Sequence, residues 1–171
     1  MKAKKRLRGV LVSGVFLLLA AGVGIAQRHY LLAGASRPEV KVSLVGTVER
    51  DSTAVALDKA AAVNPGEVLT WTVDAMNVGN APALEYRAVT HIPHGTEYVK
   101  GSAQADEAKA VFSIDGGKSF SPQPMIEQKQ ADGSVKLTPA PSSMYTSIRY
   151  EWANPLAQGA KVAASYKVRV K

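Results

Sequence analysis

The stretch Asn64–Ser102, NPGEVLTWTVDAMNVGNAPALEYRAVTHIPHGTEYVKGS, decides the fold class. After Glu67, Leu69, Trp71, Val73 and Ala75 alternate with Thr70, Thr72 and Asp74, the period-2 signature of a strand with one buried face. Asn64-Pro65-Gly66 sets up the turn that leads into it. Asn77-Val78-Gly79-Asn80-Ala81-Pro82 ends it, with Gly79 and Asn80 as candidates for positive φ and Pro82 unable to donate to a ladder. A second strand follows, placing Leu84, Tyr86, Ala88 and Ile92 on one face against Glu85, Arg87 and His91, with Val89 breaking the alternation. Pro93-His94-Gly95 turns the chain again.

The flanking sequence continues in the same manner. Upstream, Val40, Val42 and Leu44 alternate with Lys41 and Ser43, which predicts a first strand with one buried face. Asp51–Ala62 is rich in alanine but lacks a convincing helix cap and lies between strands, and it reads as a loop or an irregular edge strand. Downstream, Val111, Phe112 and Ile114 run into Asp115-Gly116-Gly117, a turn before Phe120. Residues 121–143 are rich in Pro, Gln and Ser and carry one short strand, Ser134–Leu137. Ile148, Tyr150 and Trp152 alternate with Arg149 and Glu151. The final strand, Lys161–Lys171, turns Val162, Ala164, Tyr166, Val168 and Val170 inward and a largely cationic row outward. About seven short strands separated by turns describe an all-β, antiparallel β-sandwich of the immunoglobulin-like kind.

Charge location narrows the function classes. The 171-residue chain carries 21 basic and 14 acidic residues, for a net charge of +7. Six of the basic residues and none of the acidic ones lie in residues 1–35, leaving 15 basic against 14 acidic in the body. A nucleic-acid-binding domain keeps its excess cations in the folded part, where they neutralise phosphates, and this body does not. The chain has no cysteine, which removes thiol nucleophiles, thiolate metal sites and disulfides together and suits an exported protein.

The N-terminus has the three-part layout of a secretory signal: cations from Lys2 to Arg8, an apolar run from Val10 to Ala21, and small residues at Gly24-Ile25-Ala26. Cleavage is expected after Ala26, giving residues 1–26 as signal peptide, 27–38 as spacer and 39–171 as the domain. The alternative is an uncleaved anchor, because Val10–Ala26 is 17 residues, at the short limit for spanning a bilayer. The leading positive charges place the domain outside the cytoplasm in both cases.

Three motifs taken together carry a family resemblance. They are Pro65-Gly66-Glu67 ahead of a strand, Asn77-x-Gly79-Asn80-Ala81-Pro82, and Ile92-Pro93-x-Gly95-Thr96-x-Tyr98-Val99-x-Gly101-Ser102. The later part agrees, with Phe112-Ser113-x-Asp115-Gly116-Gly117-Lys118-x-Phe120, Ile148-Arg149-Tyr150, Leu156-Ala157-x-Gly159 and a closing Tyr166-x-Val168-x-Val170. Over about residues 40–171 the chain resembles the bacterial "conserved repeat" family, the domain of unknown function numbered eleven. The resemblance implies an immunoglobulin-like module of exported and cell-surface proteins. The family usually has Asp at the position of Thr90 and occurs in tandem copies, whereas this chain carries one copy.

No sequence constellation calls for a reaction. His91 and His94 are neighbours, but on a strand running into Pro93 they point differently and have no third ligand in sight. Asp115-Gly116-Gly117 lacks the ligand spacing and terminal Glu of a calcium loop and reads as a turn. Trp71, Tyr150 and Trp152 lie on inward registers and read as core. There is no Gly-x-Ser-x-Gly, phosphate loop or His-Glu-x-x-His.

The expectation is therefore a non-catalytic exported structural or interaction module of the bacterial envelope, without a cofactor or bound metal. Its partners are envelope or surface proteins or polymers, and it contacts membrane only through residues 10–26 if these are retained. A membrane-tethered accessory domain that presents a partner protein is the alternative, with a hydrolase or metal-dependent enzyme behind it. Two surfaces are candidates for contact: the loop bearing Asn77, Gly79 and Asn80, and the outer row of the last strand, Lys161, Lys167 and Arg169. The second row has a plainer reading as charge that protects an edge strand from aggregation.

Overall fold

A computed structural model describes residues 36–171. The expected signal or anchor segment, residues 1–26, and most of the expected spacer lie outside the described residues. The body forms one compact unit from Arg37, slightly ahead of the expected domain start at Glu39. Eleven strands follow in order: β1 (Val40–Arg50), β2 (Thr53–Ala56), β3 (Val68–Asn77), β4 (Arg87–His91), β5 (Thr96–Tyr98), β6 (Gln104–Ala105), β7 (Ala108–Ser113), β8 (Met125–Lys129), β9 (Val135–Pro139), β10 (Ser147–Trp152) and β11 (Lys161–Val170). The structure is all-β and sandwich-like. One antiparallel sheet runs β2-β1-β3-β11-β5, with β6 also on β11, and a second runs β4-β10-β7. The strands β8 and β9 pair only with each other.

Alternation puts the core between the two sheets. Leu69, Val73, Ala164, Tyr166 and Val168 from the larger sheet meet Ala88, Ile148, Tyr150 and Trp152 from the smaller one. Val168 and Ile148 are fully buried, and each such side chain contributes about 1.5–3 kcal/mol relative to exposure. Three buried aromatics have their polar ends satisfied, whereas the Trp71 indole N–H is buried without a partner among the described residues. The Tyr150 hydroxyl donates to the Ser165 carbonyl at 2.7 Å, Tyr166 to the His91 carbonyl at 2.9 Å, and the Trp152 indole to the Asp106 carbonyl at 3.0 Å. The inward registers expected for Tyr150, Trp152 and the final strand are those observed. Trp71 lies on the inward face as expected and is half-buried; its ring covers Gly46, where a Cβ would stand 2.9 Å from the indole.

Three details differ from the sequence expectation. Val42 and Leu44 occupy the inward register of β1 but are 57% and 52% exposed, because no strand of the second sheet lies over that half of β1. In the second strand of the opening stretch the inward residues are Tyr86, Ala88 and Thr90, while Leu84 is 69% exposed. Glu85 takes φ 48°, and this left-handed residue breaks the alternation between Leu84 and Tyr86. Asp51–Ala62 contributes the edge strand that was one of its two expected forms: β2 turns back on β1 through Asp51 and Ser52, both at positive φ, as in a type I′ hairpin. Residues 121–143 hold two strands instead of one, the β8–β9 hairpin, with Met125 opposite Pro139 at its base.

Candidate functional site

The Asn77 loop packs inward and holds the start of the domain. Asn77 ends β3 on the inward register and is fully buried. Its Nδ2 donates to the carbonyls of Ala81 at 2.7 Å and Leu156 at 2.9 Å, and its Oδ1 accepts from the N–H groups of Gly79 at 3.0 Å and Glu39 at 3.3 Å. The side chain thus has all its hydrogen-bonding capacity used, as a buried amide requires. Asn77 presents no surface, which corrects its assignment as a contact residue.

Gly79 and Asn80 complete the same device. The N–H groups of Val78 and Gly79 donate to the Glu39 carbonyl, and Asn80 exchanges with Arg37: its Oδ1 accepts from the Arg37 N–H at 2.8 Å and its N–H donates to the Arg37 carbonyl at 3.2 Å. Gly79 has ordinary negative φ, contrary to the expectation for this turn. Glycine is required there for space: a Cβ would stand 2.7 Å from the Pro38 carbonyl carbon and closer still to the Glu39 nitrogen. The motif Asn77-x-Gly79-Asn80 is therefore a clamp on Arg37–Glu39. Asn80 is exposed and Gly79 partly so.

The cationic row lies on a different surface. Lys161, Lys167 and Arg169 project from the outer face of β11, which has β3 on one side and β5 and β6 on the other. The strand is interior to its sheet, so edge protection is not its role. Across the face, Lys167 pairs with Thr70 and onward with Thr47, Ser165 pairs with Thr72, and Lys161 pairs with Met76 and onward with Lys41. Arg169 stands opposite Glu97 and reaches the Gly66 carbonyl at 3.3 Å. The result is a mixed outer face in which hydroxyls and cations stand beside Asp74 and Glu97.

The other singled-out residues are engaged locally. His91 Nδ1 is 2.9 Å from Ser147 Oγ, with Ser147 fully buried, and His94 is in the exposed turn beyond Pro93. Asp115 closes its turn by accepting from Ser119 Oγ at 2.6 Å, the Ser119 and Lys118 N–H groups at 3.0 Å each, and Ser113 Oγ at 2.7 Å. The Ser119 hydroxyl and the other donors hold its carboxyl well below the usual carboxylate range. Thr90 Oγ1 is 3.1 Å from the Tyr166 hydroxyl inside the core, a neutral contact at the position where the resembled family carries Asp. Burial raises the Tyr166 phenol, which the Thr90 bond partly offsets. Among the described residues no three His, Asp or Glu side chains converge as a metal cluster would.

Sequence inspection alone missed one concave feature. A groove of about 730 Å³ opens at one end between the sheets, with Val42, Ala75 and Val162 in a row across β1, β3 and β11 as its floor. Trp152 forms a wall, and Asp106 and Glu107 form an acidic rim. Its lining is apolar with charged borders and offers no nucleophile paired to a base, so its chemistry suits reversible contact with a chain or ligand. The exposure of Val42 was the missing signal, since alternation marks a face without saying what covers it.

No family model and no curated protein matches the chain.

Proposed function

We propose that this protein is an exported, non-catalytic structural or interaction module of the bacterial envelope, built on an immunoglobulin-like sandwich of the conserved-repeat kind. The observation that carries the reading is the N-terminal layout of cations, apolar run and small residues ahead of a nearly neutral body. The polar motifs of that body support it, because Asn77, Asp115 and the His91–Ser147 pair are each engaged in local structure. Contact with an anionic envelope polymer would use the outer face bearing Lys161, Lys167 and Arg169. The test is fractionation of cells with the mass of the mature N-terminus. A soluble exported chain beginning at Gln27 supports the free module, whereas retention of the full chain in the cytoplasm overturns export. Replacing Lys167 and Arg169 with Glu and finding envelope association unchanged removes the polymer contact.

A second reading, a membrane-tethered domain presenting a partner, is favoured by the clamp on Arg37–Glu39. It fixes the point at which the chain enters the domain, as a tethered module needs. An intact N-terminus recovered in the membrane selects this reading over the first.

A further inference from the structure

The two flanks of the sandwich are unlike, and each lacks what the other carries. On one flank both sheets end in an unpaired edge. The Gly46 carbonyl turns toward the β2 side to accept from Leu57 N–H. By alternation the backbone groups of Val42 and Leu44 face the same side, where β2 no longer runs beside them. In the second sheet, β4 pairs only with β10. The bonds Trp152 N–H to Tyr86 and Ile92 N–H to Thr146 turn the even-numbered groups toward β10, leaving those of Arg87 and Val89 facing outward. The strand β7, at the opposite border of that sheet, neighbours β6, which lies on the far side of β11 from β3. This places β4 on the flank of β1. Along the seam between them Val42 and Leu44 are exposed.

The opposite flank carries the β8–β9 hairpin. Its base joins Pro124 to Ala140 directly after the Phe112–Ser121 bridge on β7, and the 3₁₀ turn that follows it, Ser142–Met144, lies against β5. Both of its strands have a free edge, and a two-stranded ribbon is marginally stable alone in water. Val135 and Leu137 project from one side of it, each 62% exposed. The ribbon starts on the β5–β7 flank, so it cannot reach the seam of its own chain on the β1–β4 flank.

We propose that the β8–β9 hairpin of one copy fills the seam of a second copy, adding a strand beside β4 and laying Val135 and Leu137 over Val42 and Leu44. The dimensions agree: β9 and β4 are both five residues long, and both apolar pairs are spaced by two residues on an extended chain, so the rows share one repeat. Strand addition satisfies the free backbone groups of both partners and covers the apolar residues of both. The contact joins unlike surfaces, so it propagates head to tail into a filament or closes into a ring. It does not depend on where the protein resides.

The absence of cysteine makes the test direct. Full-length Leu44→Cys and Leu137→Cys proteins in mild detergent are treated, separately and mixed, with a bis-maleimide that spans about 10 Å, the separation of packed sheets. The mixture is expected to give a crosslinked dimer that neither protein gives alone, and the double variant a ladder of multimers. Adding Val135→Lys to the Leu137→Cys protein is expected to lower dimer yield about tenfold. Both cysteine sites are exposed, and unchanged unfolding midpoints verify the fold; the pair Val42→Cys and Val135→Cys repeats the experiment independently. Equal product from Leu44→Cys alone, which signals symmetric pairing of β1 edges, overturns the proposal. So does equal product from Leu137→Cys alone, a purely intramolecular product in the double variant, or no product in either mixture.

Discussion

The side-chain amide of Asn77 donates to the carbonyl of Leu156 at 2.9 Å, joining the end of β3 to the loop that leads into β11. That bond belongs to a set of four from one buried side chain, and it turns a loop with the composition of a binding site into a fastening. Asn77→Ala leaves the Ala81 and Leu156 carbonyls and the Gly79 and Glu39 N–H groups without this partner. A loss of about 2–4 kcal/mol is expected, read from urea unfolding midpoints. Unchanged stability would show that water replaces the amide fully.

Gly79→Ala should destabilise by about 1–3 kcal/mol, because the new methyl meets the backbone of Pro38 and Glu39, which cannot move without breaking the clamp. Limited proteolysis is the second readout. Cleavage is expected to appear at residues 37–39 while the β-sheet circular dichroism persists.

Thr90 and Tyr166 are coupled across the two sheets through their hydroxyls at 3.1 Å. A double-mutant cycle with Thr90→Val and Tyr166→Phe is expected to return a coupling energy of about 1 kcal/mol. Coupling near zero would show that the Tyr166 bond to the His91 carbonyl alone satisfies the phenol.

Alkaline unfolding should follow from the buried phenols. Burial raises Tyr150 above its ordinary value of 10.0, and Tyr166 is raised by the same cause. The folded state therefore holds these protons longer than the unfolded chain does. The stability this contributes is fully present below the unfolded value and is lost as pH rises above it toward the folded one. Tyrosinate absorbance should rise together with loss of near-ultraviolet circular dichroism, and separate transitions would refute the linkage.

Asp115 gives the opposite limb. Its carboxyl is depressed by the Ser119 and Ser113 hydroxyls and by backbone donors, so its contribution is present above the unfolded value and lost as pH falls toward the folded one. Asp115→Asn is expected to flatten the decline in stability between about pH 5 and pH 2. An unaltered acid limb would assign that decline to other carboxylates.

Much of the architecture was legible in the residues. Period-2 alternation placed Leu69, Val73, Tyr150, Tyr166 and Val168 in the core, because on a pleated strand the face of a residue follows from its parity. Turn chemistry placed the breaks at Pro65-Gly66, Pro93-His94-Gly95 and Asp115-Gly116-Gly117, since those positions demand backbone conformations or a missing donor that few residues supply. The cluster of cations at the N-terminus and the near balance of charge in the body were equally plain.

What parity leaves open is what stands opposite each face, and this only the tertiary structure decided. Val42 and Leu44 alternate as cleanly as Tyr166 and Val168, yet one pair is exposed and the other buried, because β11 lies beneath the second sheet and the first half of β1 does not. The cations of β11 looked like those of an edge strand until pairing with β3, β5 and β6 placed it inside the sheet. Asn77, Gly79 and Asn80 have the composition of an exposed loop, and it is the return of Arg37–Glu39 beside them that makes them a clamp. The sequence by itself marked the longer strands, most of their faces and most of their turns, which depend on neighbours along the chain; it pointed to about seven strands where the described residues form eleven, because short strands such as β6 and β8 are set by their partners. Strand order, the open seam and the function of that loop depend on residues far apart in sequence, and the folded arrangement alone brings those together.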